Sequence, residues 1–117
     1  METEKKYNGW TNRDTWALNL HMENNEGNYE FFQAEAKDII RKAETTEDAI
    51  FIFADRIEEW YNEIRDNVLC SVSEREYEPT EEAINLIRDV SSDDDINFNE
   101  IAKGIIETII NDEKEAV

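Results

Sequence analysis

The sequence predicts an all-α fold, a compact single-domain bundle of about five helices. Apolar residues recur at threes and fours along most of the chain, the spacing of a helix face. Gly occurs three times and Pro once in 117 residues, which leaves little turn material for a β-sandwich. Capping residues also stand before most of the periodic runs. One domain is the natural count at this length. Residues 1–9 read as a polar N-terminal arm and residues 10–117 as a single acidic helical domain.

The first helix is expected to start at Thr11, with Asp14 as its capping-box partner, and to end near Asn24 and Asn25, before Gly27. It carries Trp16, Ala17 and Leu20 on one side. A second helix is expected from about Asn28 to Ala43, with Tyr29, Phe32, Ala36, Ile39, Ile40 and Ala43 on one face. The third is the longest, capped by Thr45 or Thr46 and running to about Leu69. Ile50, Phe53, Ile57, Trp60, Ile64 and Val68 form its apolar stripe. Residues 70–79 form a linker. A short fourth helix follows Pro79, capped by Thr80, with Ala83, Ile84, Ile87 and Val90 inward. It is expected to be the most weakly held. A fifth starts near Asn97, with Glu100 as capping-box partner. Phe98, Ile101, Ile105, Ile106, Ile109 and Ile110 make its apolar face wide, as a central position or a homodimer contact would require. The third and fifth helices are expected to form the centre.

Charge bears most directly on function. The chain has 30 Asp and Glu against 12 Lys and Arg, a formal net charge of −18. A disordered acidic tail would lack the aromatics and the helical period found here. Most of the excess lies beyond residue 27, so the helical body carries it. On the third helix Asp48, Asp55, Glu59 and Asp66 repeat by seven, four and seven, which places them in one stripe almost opposite the apolar one. That ridge spans about 27 Å, or about eight base-pair steps of B-DNA. Glu74, Glu76, Glu78, Glu81 and Glu82, and the run Asp93, Asp94, Asp95, would extend it.

Proteins that bind nucleic acid present Lys and Arg clefts to the phosphates. A rigid row of carboxylates can occupy such a cleft, while the same field repels nucleic acid itself. The expected function is therefore a DNA mimic that inhibits a host nucleic-acid-binding protein. The plainer reading is surface solvation, yet like charges four residues apart destabilise a helix.

The segment Tyr7 to Trp16 is chemically different. Trp10, Asn12 and Arg13 could anchor a protein partner, since Trp and Arg dominate interface energetics. This gives the alternative of a structural or regulatory adaptor. Structurally, the tryptophans would pack on the core while Asn12 and Arg13 bond to helix ends or acids.

The run NGWTNRDTWALNL, from Asn8 to Leu20, resembles the opening of a family of small acidic proteins encoded by phages, plasmids and related mobile elements. The similarity continues through Asn25 to Tyr29, Ala54 to Glu58 and Ile96 to Ala102. The resemblance implies a mobile-element context and no site residues. Combined with the charge, it points to an anti-restriction or anti-CRISPR role against a host defence effector complex.

A second alternative is calcium binding. Asp89, Ser91, Asp93, Asp95, Asn97 and Glu100 occupy positions 1, 3, 5, 7, 9 and 12 of an EF-hand-like loop, but Asp94 stands where the sharp turn wants Gly. Otherwise no cofactor is expected. No enzyme is expected either. His21 is the only histidine and Cys70 the only cysteine, and neither belongs to a recognisable nucleophile arrangement. No apolar run approaches a membrane span and no signal-peptide pattern opens the chain, so a reducing cytoplasm is the expected compartment, the host's if a phage encodes the protein.

Overall fold

The computed structural model describes residues 9–70, 72–74, 78–90 and 96–115. Within them run five α-helices: α1 (Arg13–Asn24), α2 (Glu26–Lys42), α3 (Thr46–Leu69), α4 (Glu81–Asp89) and α5 (Phe98–Glu115). A 3₁₀ turn occupies Val72–Glu74. No strand is present among the described residues. None of their helices is long and apolar enough to cross a membrane. The fold is all-α. The proposed arm lies almost wholly outside the described residues.

The α3–α5 pair forms the centre, and no other two helices pack so extensively. Phe53 and Ile57 of α3 and Ile101, Ala102 and Ile106 of α5 have no exposed surface. The apolar face of α5 is wide because α1 and α2 pack on it as well as α3. Aromatic side chains join α2 to α3: Phe32 meets Trp60 edge-on at 5.0 Å and Phe53 at 6.1 Å. Such pairs add about 0.5–1.5 kcal/mol beyond the area they bury.

The start of α3 lies where its cap predicts, with the Asp48 N–H donating to Thr45 Oγ1 at 3.0 Å. The α4 cap is also as expected: Ala83 N–H donates to Thr80 Oγ1 at 3.0 Å. Other expectations need correction. Asn12, not Thr11, caps α1, because its Oδ1 accepts from Thr15 N–H at 2.9 Å. The second helix starts at Glu26 rather than Asn28. Asn25 alone joins α1 to α2, its side chain accepting from Asn28 N–H. Gly27 lies inside that first turn. A Cβ there would come within 3.3 Å of Asn25 Oδ1, a tight contact for the capping side chain.

On α4 Leu86 is buried, as is the C-cap Val90, and Ile87 packs half-buried against the core, whereas Ile84 is exposed. At 100° per residue, Ala83, Leu86, Ile87 and Val90 share one stripe and Ile84 falls at its edge. Tyr29, placed on the inward face of α2, is about half exposed, at 47%. It lies at the end of the helix, where a groove opens.

Candidate functional site

The distinctive N-terminal segment ties helix ends together. Thr15 Oγ1 donates to Asn12 Oδ1 at 2.8 Å and accepts from Asn97 N–H at 2.9 Å. Asn97 Oδ1 accepts from Glu100 N–H at 2.9 Å, as a cap of α5 should. The Glu100 carboxylate does not return to the Asn97 N–H, as a local capping box would have it. It accepts from Thr11 N–H at 3.1 Å. The N-termini of α1 and α5 therefore satisfy each other's donors, a crossed arrangement that four orphan N–H groups per helix start make favourable.

Arg13 and His21, on the same helix, hold the last residue of α4. Arg13 Nη1 donates to the Asp89 carbonyl at 2.7 Å. His21 Nε2 lies 2.8 Å from Asp89 Oδ2. The carbonyl is one of those a helix C-terminus leaves open. Of the proposed adaptor patch, Asn12 and Arg13 thus have partners within the fold, and Trp10 is half-buried against the core. A hollow of about 620 Å³ lies beside His21, with Glu63 and Glu82 on its walls. Its one hydroxyl among the described residues, Thr80, caps α4. Cys70, half-buried, donates through Sγ to the Asn67 carbonyl.

Asp89, Asn97 and Glu100, the described members of the calcium-loop pattern, are engaged with His21, the α5 backbone and Thr11. Ser91, Asp93 and Asp95 lie outside the described residues, as do Glu76 and Asp94. Among the described residues no group of acids, His and Cys is arranged to hold a metal.

The acidic ridge differs in kind. Asp48, Asp55, Glu59 and Asp66 are all exposed, on the side of α3 opposite the core. Thr45 caps the helix at Asp48, where a carboxylate also favours the helix N-terminus. Asp66 pairs with Arg65 at 3.2 Å. Asp55 and Glu59, in the middle of the row, make no hydrogen bond or ion pair with any described residue. Glu74, Glu78, Glu81 and Glu82 are exposed as well.

Sequence reasoning missed two features beside these. Phe51, 74% exposed, stands within the acidic face and borders a shallow hollow with Asp55 and Glu58. A second groove, between α1, α2 and α5, gathers Trp10, Trp16, Tyr29, Asn19 and Glu23. The two tryptophans of the N-terminal segment and the spacing of Asn19 and Glu23 at i, i+4 were the local signals for it.

A family model matches residues 3–115, and the chain belongs to that family, a family of unknown function designated DUF7249. No curated protein matches the chain, and neither does any solved structure.

Proposed function

We propose that this member of the family is a non-enzymatic inhibitor from a mobile element. It presents a nucleic-acid-like anionic face to a host nucleic-acid-binding protein of restriction or CRISPR type and blocks access to the substrate. The observation that supports it best is the exposed row on α3, whose central carboxylates, Asp55 and Glu59, have no partner among the described residues. No described residue neutralises their charge, which is what a basic cleft would engage. The helix beneath them is fixed by its buried back face, so little entropy is lost when the row is engaged. A strong field of one sign also speeds encounter with an oppositely charged partner by ~10- to 1,000-fold.

Affinity capture from host lysate at low and high salt identifies the target, and binding to the purified target tests the reading. Reversing Asp55 and Glu59 to Lys should weaken that complex at least about tenfold and flatten its salt dependence. Urea unfolding should show the fold intact. Equal loss of binding and folding would defeat the proposal, and so would a complex indifferent to both salt and the reversals.

A further inference from the structure

We infer that the groove between α1, α2 and α5 is a receptor for an arginine side chain on a basic protein segment. Its volume of about 380 Å³ lies at the small end of the range for ligand pockets, roughly 300–1,000 Å³. That suits one long side chain better than a cofactor. Trp10 and Trp16 are half-buried along it, and Tyr29 is half-exposed at its edge. Asn19 is buried, and its Nδ2 donates to Glu23 Oε1 at 2.9 Å, which fixes that carboxylate beside the aromatic rings. The opposite side is open at Gly104, where a Cβ would meet nothing within 4 Å. No Lys, Arg or His is among the described lining residues.

These surroundings discriminate between ligand chemistries. An anion would meet a carboxylate in a field of net charge −18. A neutral apolar group would take water from the Glu23 carboxylate and return no hydrogen bond. An ammonium ion is compact and strongly hydrated. A guanidinium is planar, stacks on aromatic faces and can fork a carboxylate with two N–H groups. The inference rests on the proposed function in taking the partner to be basic, and it adds where an arginine of that partner is held. No residue of α3 lines the groove, so the site can be tested apart from the ridge.

The test uses the full chain, labelled with ¹⁵N and titrated with acetyl-Gly-Arg-Gly-amide at low salt. The citrulline peptide, of the same shape without the charge, is titrated in parallel. Trp60, on α3 and outside the groove, supplies a reference indole. The indole N–H signals of Trp10 and Trp16 should move and saturate with the arginine peptide and stay in place with citrulline, while Trp60 remains unmoved. Glu23→Gln, at an exposed position, should weaken binding roughly three- to tenfold, and Tyr29→Ala by a similar factor. Equal response to citrulline, movement of all three indoles together, or no saturation would overturn the inference. If the peptide fails while ridge reversals still abolish the target complex, only this inference falls. If the peptide saturates the groove while ridge reversals leave the target complex intact, the mimicry reading falls and the groove stands.

Discussion

Thr15 has no exposed surface, and its hydroxyl serves two helix starts at once, donating to Asn12 Oδ1 and accepting from Asn97 N–H. Valine fits the same space but can do neither. Thr15→Val should therefore lower the free energy of unfolding by about 1–3 kcal/mol, the cost of leaving buried polar groups unmatched. Thr45→Ala removes a single exposed cap and should cost about 1 kcal/mol. Urea denaturation of both variants beside Thr15→Ser, which keeps the hydroxyl, checks the ranking. A Thr15→Val loss no larger than that of Thr45→Ala would show that the crossed caps do not act together. The hydroxyl's role could not be read locally, because its partner is 82 residues away. Local reading rightly paired Asn97 with Glu100 at the start of α5. It then assigned the Glu100 carboxylate to the wrong backbone N–H, since Thr15 had already taken the near one.

Among the elements, α3 was the most legible and α4 the least. A long run constrains its own phase, so Ile50, Phe53 and Ile57 of the α3 stripe and its end at Leu69 follow from periodicity. Thr45 proves to be the cap of the two threonines on offer. Only towards the C-terminus does the buried line drift, with Tyr61 fully inside and Trp60, Ile64 and Val68 half-buried. The nine residues of α4 admit more than one inward set, and Ile84 was assigned inward while Leu86 was passed over. What holds α4 in place is tertiary: it packs on α1 and α3 alike, with Leu86 in the core, and α1 adds polar ties through Arg13 and His21 at Asp89. Both contacts are partly solvated, with Arg13 and Asp89 side chains 50% and 46% exposed, so each is a modest tie. Arg13→Gln should loosen α4 by about 0.5–1.5 kcal/mol. Amide exchange at Leu86 and Val90 would quicken by roughly three- to tenfold. Exchange in the middle of α3, at Phe53 and Ile57, should be unchanged. Uniform acceleration across both helices would mean that Arg13 supports the whole bundle rather than the docking of α4.

Across the whole molecule, the folded body and the charge it carries pull in opposite directions, which separates a binding role from a folding one. The charge excess and its location on the helical body were plain in the sequence. The arrangement of the carboxylates was only partly so, because pairing depends on neighbours. Asp48 stands at a helix start and Asp66 beside Arg65, whereas Asp55 and Glu59 stand four residues apart with no described partner. Like charges at that spacing destabilise a helix by about 0.2–0.5 kcal/mol. Glu59→Gln should therefore raise stability by that amount, a small increase in the urea midpoint with unchanged slope. If the ridge serves recognition, the same substitution should slow association with the captured target, with the loss greatest at low salt and fading as salt rises. Asp48→Asn is the contrasting case, since it removes a carboxylate that favours the α3 N-terminus and should lower stability by about 0.3–1 kcal/mol. A Glu59→Gln protein that is more stable and equally fast to bind would leave the central carboxylates without a part in recognition. One that is more stable and slower to bind would show a charge maintained at the expense of the fold.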